Sequence, residues 1–221
     1  RRQQGLLGNY KVSVPPYLHD ETFVNVGTMK NTGFEFDLNF NAVQTKDFDY
    51  NFSVVGTWMS NKFVDFSNSE YIGQDYYYGC STEDPYPYYN LQRIEKGKPL
   101  GNFYMWKYAG ITSDGDWLVY DKDGDIIRAA QATEEDRQFT MSTTHNFRYR
   151  NFDLALFFRG AFGFDIFNIH DFYYGNRNFT GNRLRKAYGK NFDINPSANP
   201  VVSDYFLERG DYFKLDMLTL G

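Results

Sequence analysis

The chain has 221 residues, enough for one sizeable domain or one section of a larger fold. Its formal net charge is −5 with no basic stripe, so it carries no electrostatic footprint for nucleic acid. Rings make up 20% of the residues, with 19 Tyr and 22 Phe, although the mean hydropathy is only −0.60.

That combination of many rings and a polar chain suits a transmembrane β-barrel, whose strands show rings to lipid and polar groups to water. On composition alone a soluble or surface-attached carbohydrate-binding β-sandwich with a tyrosine-rich face fits equally well. The longest apolar run, Leu154-Ala155-Leu156-Phe157-Phe158, falls far short of the roughly 20 residues that a spanning helix needs. Arg1-Arg2-Gln3-Gln4 leads straight into strand-like sequence, so any export signal is expected to lie outside this chain. The single cysteine, Cys80, has no partner for an internal disulfide, and its polar, glycine-containing surroundings assign it no role.

In chain order, a first strand is expected to end near Val14, ahead of Pro15-Pro16, which donate nothing to a ladder. From Gly33, residues Phe34, Phe36, Leu38 and Phe40 alternate with Glu35, Asp37, Asn39 and Asn41, giving one greasy and one wet face. Thr45-Lys46-Asp47 breaks the run with turn chemistry. The pattern resumes with Phe48, Tyr50, Phe52 and Val54 against Asp49, Asn51 and Ser53. A second hairpin places His145, Phe147 and Tyr149 before a tight turn at Arg150-Asn151, and Phe152, Leu154, Leu156, Phe158 and Phe162 after it. Asp153, Ala155 and Arg159 lie opposite, with Phe157 intruding among them. A last strand is expected from about Tyr205. Roughly six strands result, each near the 9–11 residues that cross a bilayer at a tilt.

Two connections are short, at 45–47 and 150–151, and three are long, at about 15–31, 64–142 and 165–203. Outer-membrane barrels have this asymmetry, with short periplasmic turns and long extracellular loops. If both short turns face the periplasm, an even number of crossings, zero included, separates Asn61 from Thr143. Segment 64–142 is therefore expected to be an extracellular excursion carrying its own small hairpin, and 165–203 a second extracellular loop.

Several local patterns resemble the C-terminal part of SusC/RagA-type TonB-linked outer-membrane transporters. Asn25-Val26-Gly27 through Asn31-Thr32-Gly33-Phe34-Glu35-Phe36 resembles the family's strand entry, and Asn61-Lys62-Phe63-Val64-Asp65-Phe66 its strand exit. Gly97-Lys98-Pro99-Leu100-Gly101 with Gly110-Ile111 resembles its Gly-x-Pro-Leu-Gly segment. Asn151-Phe152-Asp153-Leu154 through Gly160 and Phe167-Asn168 resembles its late hairpin, and Leu207-Glu208-Arg209-Gly210-Asp211-Tyr212 with Leu218-Thr219-Leu220-Gly221 its near-terminal strand. The matches stand in the family's order over nearly the whole chain. Two departures occur: Tyr120–Ile127 only partly keeps the family's Asp-rich stretch, and its Gly-x-Pro-x-Pro segment is replaced around Phe139–Ser142.

The resemblance implies an all-β fold, a portion of a plugged antiparallel barrel of about 22 strands. It implies energised import across the outer membrane of a Gram-negative bacterium, with TonB acting through a segment outside this chain and a SusD-like lipoprotein as lid. The cargo would be a glycan or an oligopeptide, the glycan preferred because of the tyrosine-rich loops. Tyr71, Tyr76, Tyr77, Tyr78, Tyr86, Tyr88 and Tyr89 form one such loop cluster, and Tyr173 and Tyr174 belong to another. Rings with polar tips stack on sugars, anchor protein interfaces, or pack among themselves to shape a loop. Glu35, Asp37, Asn39, Asn41, Asp49, Asn51, Asp153 and Arg159 are the expected lumen-facing residues; the rings opposite them would meet outer-membrane lipid.

Chemistry is not expected. His19, His145 and His170 share no metal-ligand spacing, and Gly160-x-x-Gly163 lacks the lysine of a phosphate loop. Asp121, Asp123 and Asp125 around Gly124 miss the calcium-loop spacing, since Val119 stands where another carboxylate is needed, and read as a solvated turn. No catalytic group, metal or cofactor is assigned.

Overall fold

The computed structural model describes residues 1–11, 21–66, 76–86, 88–121, 123–127, 131–133 and 138–221. In chain order the strands are β1 (Arg2–Lys11), β2 (Glu21–Gln44), β3 (Phe48–Asp65), β4 (Tyr76–Tyr78), β5 (Arg93–Glu95), β6 (Tyr104–Ile111) and β7 (Trp117–Tyr120). They continue as β8 (Ile126–Ile127), β9 (Gln131–Thr133), β10 (Gln138–Tyr149), β11 (Phe152–Phe162), β12 (Asp165–Phe167), β13 (Leu207–Arg209) and β14 (Tyr212–Leu220). One short helix, α1 (Ile169–Tyr174), follows β12.

The six longest strands form one antiparallel sheet in the order β1-β2-β3-β10-β11-β14. The expected hairpins are present, closed at Thr45–Asp47 and at Arg150-Asn151, where Arg150 takes φ 55°. β3 pairs directly with β10, from Phe48↔Tyr149 to Met59↔Gln138, so no strand of this sheet intervenes between them. Alternation carries across the register. Leu38, Val54, Thr143, Phe158 and Leu215 form one row of the apolar face, and Phe40, Phe52, His145, Leu156 and Leu218 form the next. Rings meet across this face: Tyr50 and Phe147 stack with centroids 4.4 Å apart, and Phe158 and Phe213 at 5.5 Å. His145 belongs to this ladder, with its Nδ1 2.9 Å from the Tyr50 hydroxyl.

Among the described residues nothing covers this face: Phe34 is 65% exposed and Leu218 61%. A sandwich would need a second sheet there, whereas a barrel leaves it to lipid. The single layer with one bare apolar side is the wall of an antiparallel transmembrane barrel.

Three expectations differ from the structure. β2 begins at Glu21, not after residue 31, because Glu21–Lys30 pairs with β1 through a bulge near Leu6. A Cβ on Gly27 would come within 2.8 Å of the Leu6 Cβ, so the glycine permits this close approach. β2 and β3 accordingly run to 24 and 18 residues, longer than a bilayer crossing requires. The last sheet strand starts at Tyr212, not Tyr205, because Tyr205 and Phe206 are drawn into a separate core beside Trp117. The first strand is described as far as Lys11, and its expected end near Val14 lies outside the described residues.

That separate core is built by the two long connections together. Tyr86, Leu91, Met105 and Trp117 come from between β3 and β10, and Phe167, Phe172, Ile194, Val202 and Phe206 from between β11 and β14. Phe172 is fully buried, its ring 5.7 Å from Tyr86 and 5.3 Å from Phe206. Each buried aromatic of this kind contributes about 1.5–3 kcal/mol. Backbone bonds join the two connections as well: Trp106 N–H donates to Val202 O at 3.0 Å and Asn195 N–H to Gly115 O at 2.9 Å. The long connections are thus a folded unit with its own hydrophobic centre.

Polar staples hold α1 inside this unit. Asn168 caps the helix, accepting from Asp171 N–H at 2.9 Å. The Asp171 carboxylate, nearly buried, accepts from Lys186 Nζ at 3.0 Å, and Lys186 also reaches Glu208 at 3.4 Å. Hydrogen bonding to Asp171 holds the Lys186 ammonium above its ordinary range, and the Asn168 amide holds the Glu208 carboxyl below its own. A depressed carboxyl adds stability above its unfolded value, lost as pH falls through the folded one; a raised amine adds stability below its unfolded value, lost as pH rises through the folded one.

Two predictions follow from this packing. Gly115 has φ +85°, and a Cβ there would sit 2.4 Å from the Asp193 carbonyl oxygen. Gly115→Ala should therefore loosen the joint between the connections by on the order of 1–3 kcal/mol, read as faster proteolysis of the 112–127 and 190–205 segments with barrel melting unchanged. Amide-exchange protection around α1 should fall when the medium is acidified below the ordinary Glu range and again at strongly alkaline pH. Protection flat across both limbs would contradict the staple.

Candidate binding surfaces

The polar face of the sheet follows the same registers as the apolar one. Asn41, Asn51, Asn146, Ala155 and Thr219 make one row; Asp37, Val55, Ser142, Arg159 and Lys214 make another. Glu35 lies opposite Thr57, and Asn39 opposite Ser53 with its Nδ2 2.9 Å from Asp37 Oδ1. Near the two short turns Arg148 pairs with Asp49, and Asp153 stands across from Arg148 on the next strand. Asp49, Asn51, Asn146, Arg148, Asp153 and Thr219 line a concavity of about 490 Å³. Farther along, Arg159 pairs with Asp216 at 3.0 Å, beside an opening of about 280 Å³ bordered by Val55, Thr57, Ser142 and Tyr212.

All eight sequence-derived polar positions share this one face. Arg148 and Asp216 join them without having been singled out. Alternation does place Arg148 on the wet side, but only the register sets it between Asp49 and Asp153. Asp216 sits at the bulge beside Phe158, where counting along one strand cannot assign a face.

The tyrosines do not form one cluster. Tyr86 is buried in the core of the connections, where its hydroxyl donates to Asn176 Oδ1 at 3.1 Å; burial pushes its phenol above the ordinary range, keeping it a donor. Tyr173 ties the connections together, donating to Glu83 O at 2.7 Å and accepting from the Glu83 N–H. Tyr77 packs on Phe66 with centroids 4.9 Å apart, and Tyr89 is half-buried with its backbone bonded to Thr82. These four are committed to shaping the unit. Tyr76, Tyr78, Tyr88 and Tyr174 stay accessible, Tyr88 at 70%. Tyr71 lies outside the described residues.

Tyr76 and Tyr78 stand two apart on β4 with centroids 5.2 Å apart. The Arg93 guanidinium lies 4.2 Å from the Tyr76 ring and 4.5 Å from Tyr104, a stacked arrangement that fixes the rings. Hydrogen bonding with Tyr76 raises the Tyr78 phenol above its ordinary range, keeping that hydroxyl a donor. Tyr174 packs edge-on to Phe179 at 5.0 Å. Exposed Tyr188 and Phe192 were missed by sequence reasoning because they stand singly, without a ring-rich neighbourhood to mark them.

The Asp121 turn serves its own backbone: Asp121 Oδ1 accepts from the Asp123 and Asp125 N–H groups, each at 2.9 Å, and Gly124 takes φ +87°. Among the described residues no three His, Cys, Asp or Glu side chains converge as metal ligands.

No protein-family model matches the chain. In sequence it is similar to the TonB-dependent receptor SusC of Bacteroides thetaiotaomicron, 26% identical over 251 aligned positions that span all of this chain and 23% of SusC. It is also similar to the TonB-dependent receptor P3 of Formosa agariphila, 25% identical over 89% of this chain and 22% of that receptor. The chain therefore spans under a quarter of the length of these relatives. In fold it superposes on the RagAB peptide transporter with a TM-score of 0.73, at 18% identity, covering 99% of this chain and 25% of that one. The closed-closed state of the RagAB peptide importer gives a TM-score of 0.71 at 20% identity with the same coverage. The strand order, the bare apolar face and the neighbouring folds agree on the architecture: this chain forms part of the wall of an antiparallel outer-membrane-type β-barrel, and in sequence and fold it is similar to the SusC/RagA-type TonB-dependent receptors.

Proposed function

We propose that the chain works as part of a TonB-dependent importer that carries glycans or oligopeptides across a Gram-negative outer membrane, captured together with a SusD-like surface lipoprotein. The observation that carries this reading is likeness to SusC along the whole chain, joined to a one-layer sheet that is greasy on one side and polar on the other. In this reading the open edges of β1 and β14 pair with the rest of the barrel, since hydrocarbon leaves no unpaired backbone group tolerable. Residues 64–142 and 165–203 then face the cell exterior, opposite the periplasmic turns at 45–47 and 150–151. Glu35, Asp37, Asn39, Asn41, Asp49, Asn51, Asp153 and Arg159 face the lumen, where they solvate the interior and brace the plug. TonB acts through a segment outside this chain. The protein performs no chemistry; capture and release are its work.

A glycan is favoured over a peptide because Tyr76, Tyr78 and Tyr88 keep flat, accessible rings with polar tips, the shape that stacks on sugar faces. Tyr76, Tyr78, Tyr88 and Tyr174 are the residues for substrate or lid contact, whereas Tyr77, Tyr86, Tyr89 and Tyr173 support them from within.

Two measurements test the reading. The natural polypeptide should be extracted from the outer-membrane fraction only with detergent, at a mass several times the 25.9 kDa of this section. Cells lacking it should lose uptake of a labelled oligosaccharide, and cells lacking TonB should show the same loss. A free-standing, water-soluble chain would leave the carbohydrate-binding β-sandwich in its place; retained sugar uptake with lost peptide uptake would transfer the cargo to peptides.

A further inference from the structure

Residues 174–192 hold five cations, Arg177, Arg183, Arg185, Lys186 and Lys190, and no carboxylate, in a chain whose net charge is −5. Lys186 is neutralised by Asp171 and Glu208. Among the described residues no carboxylate lies within ion-pair distance of the other four. Glu208, which feels the Lys190 charge, already accepts from Asn168 and Lys186.

Three of these cations, Arg177, Arg183 and Lys190, are held in place by hydrogen bonds or ring contacts instead of being neutralised. Arg183 donates from Nε to Phe179 O at 2.6 Å and from Nη1 to the Tyr188 hydroxyl at 3.2 Å, and its remaining N–H groups meet no partner among the described residues. Arg177 donates to Ile194 O at 3.2 Å and lies 4.4 Å from the Phe192 ring. Lys190 sits 4.8 Å from the Tyr205 ring. Arg185 is exposed and makes no side-chain bond to any of the described residues. The segment beneath is rigid: buried Asn191 donates to Gly175 O at 2.7 Å and accepts from the Tyr205 hydroxyl at 2.6 Å, and buried Asn176 bonds Phe172 and Tyr86.

Tyr188, 61% exposed, and Phe192, 50% exposed, stand among these charges as open rings. Like charges gathered on a fixed framework repel one another, a cost that a polyanion would offset. A guanidinium anchored at one edge presents the other as a ready two-pronged donor for a carboxylate. A uronic acid joins its carboxylate directly to a ring with an apolar face, so one residue of ligand supplies both the charge and the stacking surface.

We propose that the 174–192 surface, centred on Arg183, Arg185 and Tyr188, binds uronic-acid residues of an acidic oligosaccharide. This deepens the import reading and rests on it: the cargo is then a polyanionic glycan, first met outside the membrane.

The test uses the complete receptor with its surface lipoprotein, purified in detergent and titrated calorimetrically with galacturonic acid hexamer, galactose hexamer and hexaglutamate. The acid hexamer should bind at least about tenfold tighter than its neutral counterpart, and high salt should erase most of that difference. R183Q and R185Q should each lose about tenfold for the acid hexamer and nothing for the neutral one. R185Q removes no bond among the described residues, so it should keep wild-type melting and reads the charge alone. Equal binding of the two sugars, or wild-type affinity in R185Q, would overturn the proposal. Hexaglutamate bound as tightly with the same arginine dependence would also overturn it, in favour of an acidic peptide. Import is scored separately by uptake in receptor-deleted cells, so the failure of one reading is distinguishable from the failure of the other.

Discussion

A backbone N–H or C=O placed in hydrocarbon has no water to bond, and leaving it unpaired costs several kcal/mol. Strands that cross a bilayer must therefore be paired on both sides over the membrane's thickness, and the architecture of this chain follows from that demand. β2, β3, β10 and β11 each have a neighbour on both flanks. Because hydrogen bonding fixes the pairing, the side chains are free to be sorted only by face. Rings and aliphatics gather on one face; carboxylates, amides and arginines gather on the other, where Arg148 with Asp49 and Arg159 with Asp216 neutralise one another. A one-residue slip would carry every charge to the lipid side, so the alternation also pins the register.

Such a wall cannot hold a conventional core, because it is one layer thick. The hydrophobic centre lies instead in the long connections, where Trp117, Phe172 and Phe206 meet. These segments bury their rings by packing on each other, as the core of a globular domain does. Two physical regimes thus meet in 221 residues: a sheet held by backbone pairing in a membrane, and a cap held by aromatic packing and buried polar staples. The cap is rigid enough to keep Tyr76, Tyr78 and Arg93, and separately Arg183 and Tyr188, in fixed relative positions.

The sheet was legible in the sequence because lipid and water impose a period of two, strong enough to read residue by residue from Phe34 to Phe40 and from Phe152 to Phe158. Both hairpin turns, the six strands and the common face of the eight polar residues were accessible in this way. Family-like motifs supplied the rest of the architecture, since neither plug nor barrel closure is written in this chain's own periodicity. The bulges at Leu6 and Phe158, and the extra length of β2, were not legible, because a bulge breaks the count by one and only the partner strand reveals it.

For the binding surfaces the division is different. Sequence by itself determined that the loops are rich in tyrosine and that residues 174–192 are uniformly cationic, since composition is a local property. Which rings are buried was a tertiary outcome: Tyr86 and Tyr173 disappear into contacts with Asn176 and Glu83, some 90 residues away, while Tyr76 and Tyr88 remain in solvent. Likewise, only the fold paired Lys186 with Asp171 and Glu208 and left Arg183 and Arg185 without a carboxylate partner among the described residues. Partners so distant along the chain leave no periodic trace. Burial and charge compensation are fixed by which segments the core brings together, and that was decided in three dimensions.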